Sequence, residues 1–302
     1  MTDVLIIGGG TAGMAAAIYS LRSGLSVKVF EKGVIGGQIA TTPDIENFPS
    51  ISNISGFDFS QNLMEQARSL GAEFIMENVE SVDVKDKIKK VKTYSGVHEG
   101  KSLIIANGVQ RRKLLCKGEE EFNGKGVSYC ATCDGAFFKG KNVAIVGGGN
   151  TALEDALFLS QNCKKVYLIH RKDTFRADEI LIQSVHQKEN IEILMNSTIS
   201  EIKGDNLVNA VIVKDEVSAQ SIEIEVNGIF IAIGLAPDNE LFKDIVDIDE
   251  NGYIKADESC LTKTEGVFVA GDSRTKILRQ LITAAADGAT AAFQSANYIN
   301  TL

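Results

Sequence analysis

The stretch Asp3–Gly13, DVLIIGGGTAG, has a counterpart at Asn142–Ala152, NVAIVGGGNTA. Each begins with an apolar run that reads as a buried strand. Each then passes through three glycines into a helical stretch, Met14–Ser23 in one case and a run to about Gln161 in the other. A second strand closes each βαβ unit: Ser26–Glu31 (SVKVFE) and Lys165–His170 (KVYLIH). Each half later carries a further apolar strand ending in glycine, Leu103–Gly108 and Ile229–Gly234. Strands alternating with helices imply parallel sheets with helical cover. The chain therefore uses one plan twice, and its fold class is α/β with two Rossmann-like, three-layer domains.

After Gly234 the pattern changes. Gly266–Asp272 (GVFVAGD) reads as a strand ending in an acid, and the alanine-rich Gln280–Tyr298 as a closely packed helix. This segment is too short for a third domain and is expected to complete the first. The first domain is then discontinuous, 1–112 with 245–302, and the second, 113–244, is inserted into it.

At 302 residues there is room for two domains, and 44% apolar with 24% charged residues is ordinary for a globular chain. The net charge of −9 argues against a broad nucleic-acid footprint. No apolar run is long enough for a membrane span, so no membrane partner is expected. No basic leader precedes Val4, and an odd count of five cysteines speaks against a secreted disulfide framework. A cytoplasmic protein is expected.

A lone GxGxxG also occurs in ordinary turns; following a strand and opening a helix, it points to a dinucleotide. Gly8, Gly10 and Gly13 with Ala12, and Gly147 and Gly149 with Asn150 and Thr151, would let backbone approach a pyrophosphate. Twenty-three residues past the first glycine stands Glu31 in one copy and His170 in the other. A carboxylate there binds a ribose 2′-hydroxyl and repels a 2′-phosphate, so Glu31, followed by Lys32, suits FAD or NAD. In the second copy Arg171, Lys172 and Arg176 follow His170, and such cations suit the 2′-phosphate of NADP. The competing reading of that cluster is a solvated helix start. FAD with NADPH is the simplest pairing, and it requires an electron acceptor.

Cys130-Ala131-Thr132-Cys133-Asp134-Gly135 is the candidate acceptor. Zinc would need a second half-site, and Cys116, Cys163, Cys260 and the three histidines are scattered, so no metal is expected. A structural staple is possible but unusual in a reducing compartment. A redox pair fits the spacing, and a helix start there would favour one thiolate. Asp134 could exchange the proton of dithiol chemistry or cap a helix.

CATCDG, followed by GGGNTALEDA and HRKDTFR, strongly resembles the low-molecular-weight thioredoxin reductases of the pyridine nucleotide-disulfide oxidoreductases. The resemblance spans nearly the whole chain and includes GGGTAG, GGQIATTPDIEN, GVFVAGD and the Arg279-Gln280 pair. It implies that Cys133 faces the flavin, that Cys130 attacks the thioredoxin disulfide, and that Asp134 is the acid/base. Gly37, Gln38, Asn47, Gly108, Asp272, Arg279 and Gln280 fall where the family holds FAD. It further implies a homodimer whose NADP domain swings between two poses. Related flavin enzymes take ferredoxin or NADH as donor, or a peroxiredoxin-linked protein or small dithiol as acceptor. A flavin-bound sensor without turnover is the rival of another class.

Departures from the family pattern carry their own expectations. Lys172 replaces an arginine, keeping charge but losing the bidentate fork, so NADPH binding should be weaker than typical. Asn107 replaces a threonine, and Leu235 stands where a histidine sometimes occurs. Cys116 and Lys117 replace an apolar residue and often a proline, which should loosen that crossover. Cys163 and Cys260 are expected to be buried as small apolar residues.

Overall fold

The first apolar run forms β1 (Thr2–Ile7), and the glycine turn leads into α1 (Thr11–Arg22) and β2 (Val27–Phe30). This geometry comes from a computed structural model, which describes residues 1–42 and 44–302. The chain continues through α2 (Gly56–Ser69), β3 (Glu73–Ile75), β4 (Ser81–Asp83), β5 (Lys89–Thr93) and β6 (Gly96–Ile105). A short β7 (Gln110–Arg111) leads to β8 (Val127–Ser128), α3 (Ala131–Asp134), β9 (Asn142–Val146) and α4 (Asn150–Ser160). Next come β10 (Lys165–Ile169), α5 (Glu179–His186) and β11 (Ile191–Leu194). The antiparallel β12 (Ser197–Gly204), β13 (Val208–Asp215) and β14 (Ser221–Glu225) precede β15 (Gly228–Ile231). Then β16 (Leu235–Ala236), which pairs with β7, β17 (Val267–Val269) and α6 (Leu281–Ile299) complete the order.

Two compact units result, Met1–Gln110 with Ala236–Leu302, and Arg111–Leu235. In the first, the strand order is β3-β2-β1-β6, with β17 parallel to the far end of β6 and β5 antiparallel to its near end. In the second, the order is β11-β10-β9-β15-β8, all parallel. The repeat seen in the sequence is thus a repeat of topology. It extends to one strand that the sequence reading did not align: β8 beside β15 holds the place of β17 beside β6.

Alternation along the central strands separates two cores in each unit, because successive side chains leave a strand on opposite faces. Val4 and Ile6 pack with Ala12 and Ala16 of α1 and with Ala291 and Ala292 of α6. Leu5 and Ile7 pack on the opposite side with Phe30, Val91, Phe242 and Val246. In the second unit Val143 and Ile145 meet Leu153 and Ala156 of α4, whereas Ala144 and Val146 meet Ile202, Val211 and Val213 of the antiparallel sheet. Helices therefore cover one face of that parallel sheet and strands cover the other. The expected three layers are present, with strands rather than helices forming the third. The physical reason is that β12, β13 and β14 turn one apolar set, Ile199, Ile202, Val211, Val213 and Ile224, toward that core.

Crossover positions read as loose in the sequence are tied down within the second unit. Lys117 Nζ meets Glu201 Oε1 at 2.7 Å, and its carbonyl accepts the Ile202 N–H at 2.8 Å. Asn107, at the end of β6, donates from Nδ2 to the Asp238 carbonyl and the Asn239 side-chain oxygen, which a threonine could not reach in the same way. Cys163 and Cys260 are buried, and Cys116 is half-buried. Among the described residues, no helix is long and apolar enough to cross a membrane.

Candidate active site

The glycine turn of the first unit is a place where backbone packs on backbone. Gly8 has φ +110°, and a Cβ there would lie 2.2 Å from the Ala106 carbonyl oxygen. A Cβ on Gly13 would lie 1.9 Å from the Gly8 oxygen. Gly10 is different: it caps α1, and its nearest neighbour to an added Cβ is the Gly36 oxygen at 3.8 Å. The Glu31 carboxylate accepts the Gly9 N–H at 2.8 Å and the Gly33 N–H at 2.7 Å, which holds it beneath the turn. Gly37, with φ +61°, approaches Gly10, and Gly271 approaches Ala12.

Asp272 follows β17, and its Oδ1 is buried with no hydrogen-bond partner among the described residues. Burial pushes its carboxyl above the usual range, opposed by the Lys276 and Arg279 charges. A buried acceptor with nothing to accept from costs free energy unless a ligand donates to it. Arg279 lies over the Tyr253 ring at 3.9 Å and donates to the Asp272 carbonyl. Asn47 donates to Gln280, which caps α6, and Gln38 donates to the Val109 carbonyl. Lys32 is exposed and paired with Asp238 at 3.7 Å, and Gly108 has φ +65°. Of the residues expected to hold the first nucleotide, Glu31 and Gly37 stand against the turn and Arg279 against Asp272, whereas Lys32, Gln38 and Asn47 have Asp238, Val109 and Gln280 as partners.

In the second unit the turn is built on a histidine. A Cβ on Gly148 would strike the His170 ring at 2.2 Å. His170 is buried and stacked on Phe175, with centroids 5.5 Å apart. Burial holds its imidazole below the usual range, so His170 packs under the turn as a neutral ring. The charge comes from Arg171, Lys172 and Arg176, which are exposed, and no carboxylate lies within ion-pair distance of them among the described residues. The Arg176 N–H donates to the Gly148 carbonyl at 2.7 Å, which draws this cationic segment against the turn. Asn150 and Asp178 hold each other by two 2.9 Å bonds, joining the starts of α4 and α5, while Thr151 is exposed. A Cβ on Gly147, with φ +157°, would lie 2.3 Å from the Ala232 carbonyl oxygen, whereas the nearest neighbour to one on Gly149 is the Arg176 carbonyl oxygen at 3.8 Å.

Cys130 and Cys133 are joined by a disulfide of 2.05 Å, with Cα atoms 5.3 Å apart. Cys130 caps the single helical turn α3, and its sulfur accepts the Cys133 N–H at 3.2 Å and lies 3.4 Å from Thr132 Oγ1. Asp134 ends that turn. It also stands at the N-cap position of the 3-10 turn Gly135–Phe138, but its side chain makes no capping bond there; its Oδ2 accepts the Ser128 hydroxyl at 2.6 Å. Ser128, which ends β8, carried no signal in the sequence. Among the described residues no group of three His, Cys, Asp or Glu side chains is arranged to hold a metal.

The whole arrangement has close relatives. The model of the pyridine nucleotide-disulphide oxidoreductases matches residues 2–288. A thioredoxin reductase of Bacillus subtilis is 41% identical, covering 99% of this chain and 95% of that one. The solved thioredoxin reductase of Lactococcus lactis is 40% identical with a TM-score of 0.86, and each chain covers all of the other. A ferredoxin-flavin thioredoxin reductase of Clostridium acetobutylicum is more distant, at 30% identity and a TM-score of 0.54, over 99% of this chain and 98% of that one. With its paired glycine turns and bonded CxxC, this chain belongs to the pyridine nucleotide-disulphide oxidoreductase family.

Proposed function

We propose that the protein is a flavoprotein disulfide reductase that takes electrons from NADPH and delivers them, through FAD and the Cys130–Cys133 disulfide, to thioredoxin. The observation that carries this reading is the bonded pair with a carboxylate at its side, in the same unit as a glycine turn flanked by free cations. The first unit fits FAD: its glycine cradle would admit a pyrophosphate, Glu31 would receive a ribose, and the orphaned Asp272 oxygen would accept a flavin-side hydroxyl. Bound there, FAD supplies a two-electron relay between nicotinamide and disulfide.

The chain's own residues do the rest. In the reduced pair Cys130, as thiolate, attacks one sulfur of the substrate disulfide and releases the other as a thiolate. Cys133 then attacks the Cys130 sulfur, re-forms the 130–133 bond and frees the second substrate sulfur. Asp134 holds and passes the proton that keeps the resting thiol neutral. Arg171, Lys172 and Arg176 bind the 2′-phosphate, and their charge favours NADPH over NADH and over a reduced ferredoxin. The working assembly is a homodimer in the cytoplasm, where the unbridged Cys116, Cys163 and Cys260 stay reduced.

Cys130→Ser and Cys133→Ser are each expected to abolish thioredoxin reduction with FAD retained; full activity in either variant would refute the assignment. An anaerobic titration with NADPH, NADH and reduced ferredoxin decides the donor. Preferential bleaching by ferredoxin would replace NADPH in the scheme.

A further inference from the structure

We propose that Ser128 is a positioning residue for Asp134, a hydroxyl rotor that satisfies the carboxyl group in both of its protonation states. The inference rests on the proposed acid/base role of Asp134 and concerns how one buried hydroxyl serves it.

Ser128 ends β8 and is 6% exposed. Its oxygen has three neighbours. Asp134 Oδ2 lies at 2.6 Å, the Cys130 N–H donates to it at 3.1 Å, and the Cys130 carbonyl oxygen lies at 3.3 Å. A serine hydroxyl has one proton to give and two lone pairs with which to accept. The Cys130 N–H occupies one lone pair throughout. With Asp134 ionised, the single Ser128 proton goes to Oδ2, the shorter and charged contact, and the bond to the Cys130 carbonyl is not made.

When Asp134 has taken a proton on Oδ2, the same 2.6 Å contact reverses. The carboxylic acid donates to the second lone pair of Ser128, and the serine proton turns to the Cys130 carbonyl. Ser128 Oγ, Asp134 Oδ2 and the Cys130 N–H each keep a partner in both states, and no heavy atom has to move. A proton can therefore be taken from the medium or from a thiol, held, and returned to a thiolate without stranding a buried polar group. An alanine at 128 would leave the carboxyl with one fewer donor when ionised and one fewer acceptor when protonated, and would orphan the Cys130 N–H. The Asp134 N–H, by contrast, already donates to the Cys130 carbonyl at 3.2 Å, so the turn retains its own backbone bond.

The test is a double-mutant cycle on the holoenzyme, following kcat and KM for thioredoxin and the solvent deuterium isotope effect on kcat. Ser128→Ala is expected to lower kcat on the order of tenfold, the loss of a hydrogen bond to a charged group, with KM for thioredoxin unchanged. Its solvent isotope effect should rise as proton transfer becomes rate-limiting, and Ser128→Thr, which keeps the hydroxyl, should restore kcat to within about twofold. Asp134→Asn should cost about a hundredfold. The double variant should be no slower than Asp134→Asn, because Ser128 acts through that carboxylate.

Wild-type kcat in Ser128→Ala overturns the proposal. So do additive losses in the double variant, which would make Ser128 a support of the turn independent of the acid. Full activity in Asp134→Asn would instead remove the acid/base reading itself. If Ser128→Ala fails to fold, Ser128→Val, nearly isosteric with Ser128→Thr but without its hydroxyl, carries the same comparisons.

Discussion

At the scale of single residues, two acids on neighbouring elements show how burial and partners separate roles. Asp134 has a hydroxyl partner, whereas Asp155, half-buried one turn into α4, has no comparable donor among the described residues. Burial raises its carboxyl from 3.8 to about 6, aided by Glu154 and opposed by Arg111. The folded chain thus binds this proton more tightly than the unfolded chain. Stability is accordingly lost as pH rises from near 4 through about 6, and the penalty is fully present at pH 8. Asp155→Asn should raise Tm at pH 8 and leave it nearly unchanged at pH 4; equal shifts at both values would remove ionisation as the cause. Arg176 offers a second test, because its backbone alone holds the turn. Arg176→Ala should raise KM for NADPH roughly tenfold and leave KM for NADH unchanged, and equal effects would mean that the cation does not read the 2′-phosphate. The Cys130–Cys133 bond was legible in the sequence because both cysteines and Asp134 lie in one short motif. Ser128 was not, since its partner is chosen by how β8 enters α3. His170 was read at the end of the second strand, but its burial against Gly148 needed the fold.

At the scale of elements, each glycine turn contains two kinds of glycine that sequence alone treats alike. Gly13 has no room for a Cβ because backbone stands 1.9 Å away, whereas Gly10 has an ordinary φ and open space toward Gly36. Gly13→Ala should therefore displace α1 from β1 and lower stability as well as FAD content. Gly10→Ala should cost about 0.5 kcal/mol or less in stability, yet lose FAD, since the new methyl occupies the space a pyrophosphate would use. Thermal melts read beside flavin absorbance would separate the two, and retained FAD in Gly10→Ala would remove this turn from the binding site. The strand–turn–helix context was legible because it is contiguous. The equivalence of β8 and β17 was not, as one is two residues long and the other arrives from the far end of the chain. That equivalence has a chemical consequence: the strand that leads into Asp272 in one unit leads into the disulfide in the other.

At the scale of the whole molecule, the two units differ in how the chain builds them. Residues 111–235 are contiguous and carry two complete cores of their own. The first unit cannot close without its last segment, because β17 pairs with β6 and α6 packs its alanines against those of α1. Gly288 makes that helix contact close enough that a Cβ would stand 2.2 Å from the Ala12 oxygen. Asp287, one residue earlier, accepts the Gly271 N–H, two Arg274 nitrogens and Lys276 Nζ at 2.7–2.9 Å, which fixes the loop carrying Asp272. Contacts between residues so distant in sequence bear a large loop-closure cost, so the first unit should assemble only after the inserted one is made. An excised 111–235 fragment is then expected to unfold in one cooperative thermal transition with its 130–133 disulfide intact. A 1–110 fragment, lacking β17 and α6, should give no cooperative transition. A broad, non-cooperative melt of 111–235 would mean that the inserted unit borrows its stability from the remainder of the chain, and that its two cores do not suffice.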